Sequence, residues 1–212
     1  MPDDRLLSVC ERLPLFPLPD AVLIPGGMMP LHVFEPRYRD LVRHCLDGEP
    51  LMGIATLRPG SGGEDEARPP VYDTVGVGEL VAHQALPDGR YYIVLRYVGR
   101  VSVDEELDGS QAFRVVRASV LTDDSSGAEA ALARLKPLLL QLGARTSDDE
   151  DPQRAIREGG LELVDAVASE VLQSSEARRR YLEHDRIVDR IAMLEERLIA
   201  LLTEATPVVG EA

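Results

Sequence analysis

Lysine is almost missing from this 212-residue chain: Lys136 is the only one among 23 basic residues. The phosphate-cradling loop of a P-loop ATPase ends in Gly-Lys followed by Ser or Thr. Lys136 is followed by Pro137, so that loop is absent. Its helical setting between Leu135 and Pro137 also removes a Ser–Lys hydrolytic dyad in any usual context. Cysteine is nearly as scarce. Cys10 and Cys45 stand in no metal or redox spacing, which supplies no disulfide framework and fits a reducing compartment, the cytoplasm. The four histidines, His32, His44, His83 and His184, are scattered and form no i, i+4 pair with one another, so no zinc site and no cofactor are expected. No apolar run approaches the roughly 18 residues of a membrane span, and Met1 to Asp20 is acidic and proline-broken where a signal peptide is basic and then apolar. Positive charge is short overall. A formal net charge of −14 repels phosphate backbones and anionic membrane, disfavouring nucleic-acid and membrane partners.

Three near-motifs fail on context. Gly76-Val77-Gly78 lacks the third glycine of a dinucleotide fingerprint and sits within strands. Gly60-Ser61-Gly62 imitates a nucleophile elbow but opens no helix. His44 and Cys45 are adjacent, and successive helical residues point about 100° apart, which forbids a direct nucleophile–base pair. The Arg178-Arg179-Arg180 run reads as a solvated helix face.

What is present is a change of hydrophobic period. Ala21 to Ile24 reads as a short buried strand stopped by Pro25-Gly26-Gly27, with an extended stretch from Met28 to Phe34. A short helix follows from Pro36 to Leu46, with Tyr38, Leu41, Val42, Cys45 and Leu46 on one face. Leu51 to Leu57 is a strand, and Arg58 to Pro70 a loop. Val75 to Ala82 and Tyr91 to Val98 form a hairpin, because Asp88-Gly89 supplies the positive φ its turn needs. Further strands cover Arg100 to Val103 and Phe113 to Leu121. After Ser125-Ser126-Gly127 the period becomes about 3.6. Helices are expected over Ala128 to Leu142, kinked or interrupted at Pro137, then from Asp151-Pro152 to Leu172 after an acidic linker from Thr146 to Asp151, then over Glu176 to Thr203. Ile187, Ile191, Leu194, Leu198 and Leu201 form a heptad-like stripe on the last. The expected fold is α+β: an antiparallel β pseudo-barrel with one short helix over 1–124, followed by a helical bundle over 125–212.

Leu13-Pro-Leu-Phe-Pro-Leu-Pro-Asp20, Val22-Leu-Ile-Pro25-Gly26, Met29-Pro30-Leu31 and Phe34-Glu35-Pro36-Arg37-Tyr38 occur in order, followed by Val75-Gly76-Val-Gly78, Leu86-Pro-Asp-Gly89-Arg90 and Tyr97-Val-Gly99-Arg100-Val101. Together they resemble the N-terminal substrate-binding domain of Lon proteases, well over Leu13 to Val103 and more loosely to Leu202. The resemblance implies a PUA-like barrel followed by a helical bundle, in agreement with the period change. Since this chain ends at Ala212, it resembles the stand-alone members of the family, without ATPase and peptidase modules. It implies a non-catalytic module that binds unfolded or tagged polypeptides, an adaptor or regulator of proteolysis that can work beside a separate Lon protease.

The candidate binding groups lie near the Pro25-Gly26-Gly27 bend. Met28, Met29 and Phe34 are apolar, and methionine adapts to varied partners. Arg37 enters through the family motif, with Glu35 as its helix-start charge partner. Two other readings stand beside this one: an RNA-binding PUA-like module, opposed by the charge, and a small-molecule site in the barrel mouth. The heptad-like stripe allows a homodimer through the C-terminal helices.

Overall fold

The computed structural model of the chain describes residues 4–60, 68–146 and 150–204. In chain order its elements are α1 (Asp4–Cys10), β1 (Leu13–Leu18), β2 (Met28–Val33), α2 (Pro36–Asp47), β3 (Leu51–Thr56), β4 (Thr74–Ala85), β5 (Tyr91–Leu107), β6 (Arg114–Leu121), α3 (Ala128–Thr146), α4 (Glu150–Glu158), α5 (Glu162–Val171), α6 (Ser175–Glu183) and α7 (Ile187–Glu204). They group into two compact units. One takes the chain up to Thr122 together with Ser174–Glu183; the other takes Asp123–Gln173 and the chain from His184 onward.

The first unit is α+β. Its six strands run in the order β2-β5-β4-β3-β1-β6, and β6 also pairs with β5, which closes the sheet on itself. Every pairing is antiparallel except β1 with β3. Apolar residues line both faces of the sheet. One cluster, with Phe16, Ile54, Ile93 and Leu95, packs with Tyr38, Leu41, Val42 and Cys45 of α2. The other, with Leu15, Val75, Val101 and Val116, packs with Leu6 and Cys10 of α1. The β4–β5 turn has the expected chemistry: Gly89 sits at φ 81°, and the Leu86 amide donates to the Arg90 carbonyl at 2.8 Å.

Strand β1 was hidden by Pro14 and Pro17, residues that argue against a central strand. The register shows how they are tolerated. β1 meets β6 only over Leu13–Leu15 and β3 only over Leu15–Leu18, so each proline has one side with no ladder to feed. Conversely, the segment expected as a strand over Ala21 to Ile24 is coil that pairs with no strand, buried from Val22 to Ile24. It presses so close to β4 that a Cβ on Gly76 would lie 2.0 Å from the Leu23 carbonyl oxygen, and one on Gly78 would lie 2.9 Å from Leu23 Cδ2. The two glycines dismissed as a nucleotide motif are what admit this segment. Two helices join the single one expected here. α1 covers one face of the sheet, and α6 carries the buried Tyr181 and Leu182. The Arg100 guanidinium, 1% exposed, donates to the carbonyls of Leu182 and Thr122, both at 3.1 Å, tying α6 and the end of β6 to β5.

The second unit packs α3 with α4 and α7, and α5 with α7. α3 runs through Pro137 as one helix, without a break there. The helix expected from Asp151-Pro152 to Leu172 is split at Gly159-Gly160; the Gly159 amide caps Ala155, and the Gly160 amide donates to Glu162 Oε1. Of the expected acidic linker, 147–149 lie outside the described residues. The long terminal helix is split as well. The Asp124 amide donates to the Asp185 carbonyl, the Ile187 amide returns a bond to Asp124, and Arg190 donates to His184 O while gripping both Asp123 oxygens at 2.7 and 3.0 Å. Those bonds occupy the backbone that a continuous helix needs. Ile191, Leu194 and Leu198 of the apolar stripe are buried.

Replacing Gly76 by Ala drives a methyl group into the Leu23 carbonyl, and overpacking of this kind costs about 1–3 kcal/mol. The expected outcome is a lowered urea midpoint with unchanged slope; an unaltered midpoint would show that the Leu23 segment yields freely.

Candidate functional site

Strand β2 alternates by burial. Met28, Pro30 and His32 are exposed, Met29 and Leu31 are half-buried against the core, and Val33 is buried. The same alternation runs along β5, where Ile93 and Leu95 point inward while Tyr92 and Arg96 are exposed. Register then sets exposed groups side by side: Met28 opposite Arg96, Pro30 opposite Val94, His32 opposite Tyr92. On the other side of β5, Val94 is level with Ala82 and Tyr92 with Gln84 of β4.

This outer face carries three large apolar side chains in water: Met28 is 60%, Phe34 59% and Tyr92 50% exposed. The His32 ring stacks on Tyr92 at 4.7 Å between centroids and stands 5.9 Å from Phe34. Such a row holds its own shape, since aromatic pairs gain about 0.5–1.5 kcal/mol beyond their buried area. A shallow depression of about 450 Å³ opens between Pro30, His32, Ala82, Gln84, Tyr92 and Val94. Charges at its margins are already matched. Arg96 donates to Glu79 at 2.6 Å and holds that carboxyl below the usual carboxylate range, and Arg90 pairs with Asp88 at 2.7 Å. The face therefore offers apolar and aromatic surface, with little net charge at its rim.

Two other recesses occur in the first unit. The larger, about 530 Å³, is polar, lined among others by Asp20, Arg58, Tyr72, Ser175 and Arg179. Arg58 and Arg179 stand 5.1 and 4.3 Å from the Tyr72 ring, and each is paired, with Asp73 and Glu183. The smaller, about 60 Å³, is lined by Arg37, Arg114 and Phe113 among others. In the larger one the Ser175 hydroxyl donates to Asp20 Oδ1 at 3.4 Å, and no histidine lines either recess. Burial pushes the Cys45 thiol up to about 12 and the Cys10 thiol up to about 11, leaving both neutral and enclosed. Among the described residues no group of histidine, cysteine and carboxylate side chains could hold a metal ion, and no helix is long and apolar enough to cross a membrane.

The sequence model of the ATP-dependent protease La (LON) substrate-binding domain matches residues 12–200. The chain belongs to this Lon substrate-binding domain family. Among its relatives, a Lon protease of Geobacter metallireducens is 26% identical over 205 residues, covering 92% of this chain and 24% of that protein. A Lon protease of Desulfosudis oleivorans is 23% identical over 187 residues, 82% of this chain and 22% of that protein. The chain thus spans about a quarter of the length of the relatives it matches. The N-terminal domain of a Mycobacterium avium complex Lon protease superposes with a TM-score of 0.68 at 18% identity, covering 89% of this chain and 98% of that one. A Lon N-terminal domain protein from Xanthomonas campestris does so with 0.60 at 24% identity, covering 87% and 97%. These likenesses show a shared fold.

Within this Lon-type chain the four candidate residues separate. Met28 and Phe34 are exposed at the two ends of β2. Met29 turns inward and packs against the barrel core. Arg37 pairs with Glu35 at 2.9 Å, lies over the Tyr38 ring at 4.6 Å and lines the small recess with Arg114. Sequence reasoning missed Pro30, His32 and Tyr92, although the period-two spacing of Met28, Pro30, His32 and Phe34 was there to read.

Phe34→Ser and Tyr92→Ser are expected to cost no more than about 1.5 kcal/mol each, the contribution of the ring contact that each makes with His32. Thermal unfolding checks this, and a loss of several kcal/mol would mean that these side chains are core rather than face.

Proposed function

We propose that this chain binds exposed apolar segments of non-native polypeptides on the outer face of β2, β5 and β4, without chemistry of its own. The observation that carries the reading is the continuous row Met28, Pro30, His32, Phe34 and Tyr92, large and exposed in a chain that buries most of its other bulky apolar groups. Exposed patches of this kind mark interaction sites in proteins that stay in solution. The family's substrate-binding description supports a polypeptide as the ligand. Methionine and aromatic groups suit a surface that must accept many sequences, because they make large contacts without a demand for one hydrogen-bond pattern.

Met28 and Phe34 are retained as contact residues. Met29 and Arg37 are supporting positions in this scheme, the first filling the core beneath the face and the second bracing the start of α2. Absence of a P-loop and the placement of Lys136, whose ammonium donates to the Arg157 carbonyl, support a binding role over an ATPase or Ser–Lys peptidase role. In this reading the chain delivers or shields clients in the cytoplasm, and a separate Lon-type protease is the candidate recipient.

Mixed with a chemically denatured model protein, the full chain is expected to hold it in solution at near-equimolar ratio, with no need for nucleotide. Phe34→Ser with Tyr92→Ser should weaken that protection about tenfold or more, since burying two large apolar side chains contributes about 1.5–3 kcal/mol each. Equal protection by wild type and the double variant, scored by light scattering, would move the site elsewhere. No protection by wild type against several denatured proteins would end the reading.

A further inference from the structure

We propose that the free edge of β2 takes the bound segment as an added β-strand, with Pro30 dictating the register; this rests on the polypeptide-binding reading above. Among the described residues β2 pairs only with β5, so its other edge meets no strand. Which backbone groups point that way follows from one bond. The Tyr97 amide donates to the Gly27 carbonyl at 3.0 Å, which makes Gly27 and Tyr97 a hydrogen-bonded pair. Antiparallel ladders alternate, so Met29, Leu31 and Val33 bond to β5 while Met28, Pro30 and His32 turn their backbone outward. Proline fits this assignment, since it has no N–H to give to β5.

The outward edge therefore offers three carbonyls, from Met28, Pro30 and His32, and two N–H groups, from Met28 and His32. No side chain or loop among the described residues bonds to any of them. The same three residues carry the exposed side chains, so one extended peptide can pair with the backbone and lay alternate side chains against Met28, His32 and Phe34. Strand addition of this kind draws affinity from main-chain bonds and selectivity from alternate side chains. It accepts many sequences, as a binder of non-native chains must.

Pro30 decides the occupant. Two copies of this chain pairing edge to edge about a two-fold at Pro30 would set proline against proline with no donor on either side. Each copy also carries a net charge of −14, which opposes self-association. Proline on an edge strand is a known guard against such pairing. A foreign segment is not bound by that symmetry: it donates one N–H to the Pro30 carbonyl and exchanges full pairs at Met28 and His32. The charge favours a segment that is neutral or basic, extended, apolar at alternate positions and free of proline where it pairs.

The test uses the full chain and a labelled nine-residue peptide of alternating leucine and serine flanked by arginine, read by fluorescence anisotropy. Each backbone nitrogen of the peptide is methylated in turn, which leaves the protein untouched. Affinity is expected to fall about tenfold at every second position and to change less than about twofold at the positions between, corresponding to the net contribution of one hydrogen bond. Met28→Pro and His32→Pro should each weaken binding by a similar factor while Met28→Ala and His32→Ala weaken it less, and Pro30→Val should tighten it. A methylation profile without that two-residue period, in a peptide that still binds, overturns strand addition and leaves the polypeptide-binding reading standing. If neither the peptide nor denatured proteins bind the wild-type chain, both fall together.

Discussion

One strand has to serve two partners along a single edge, and the architecture of the first unit depends on how it does so. β5 is seventeen residues long and pairs with β4 on one side. On the other side its first part, Tyr91–Arg96, pairs with β2, and its later part, Arg100–Leu107, pairs with β6. The change of partner falls at Tyr97-Val98-Gly99. Pairing with β6 closes the sheet, which removes edges elsewhere, and leaves β2 as the strand with an open side. Closure of the barrel and exposure of the proposed binding face are thus two results of one pairing pattern. The buried Arg100 begins the second half of β5 and anchors α6 and the end of β6 there.

The parts of this that could be read in the sequence were those with strong local signals. The Asp88-Gly89 turn, the amphipathic α2 and the buried run of β3 all depend on residues close to one another, and each appears where expected. The failures share a cause: long-range contacts overruled local rules. Pro14 and Pro17 disqualify β1 on local grounds, yet offset pairing with β3 and β6 leaves each proline an idle side. Val22 to Ile24 has strand composition and is buried, but Gly76 and Gly78 receive it as coil against the face of β4. The split between α6 and α7 is enforced by Asp123 and Asp124, some sixty residues upstream, through bonds to Asp185, Ile187 and Arg190.

The candidate site was half legible for the same reason. Met28 and Phe34 could be named from composition near a bend, but the side of the strand each faces is set by register with β5. That register turns Met29 inward and brings Tyr92, sixty residues on, against His32. Arg37 carried a family signature, and its pairing with Glu35 beside Tyr38 gives that signature a structural purpose. Family membership and geometry address different levels. The first names a substrate-binding domain of an ATP-dependent protease; the second offers a specific apolar face on which the proposed segment would lie.

The most direct measurement is a backbone amide NMR map of the full chain titrated with an unfolded polypeptide. The account predicts shifts concentrated at Met28, Leu31, His32 and Phe34 and along Tyr91 to Val94, with the second unit unaffected. Shifts gathered instead around Arg58, Tyr72 and Arg179, or confined to α3 and α7, would contradict it.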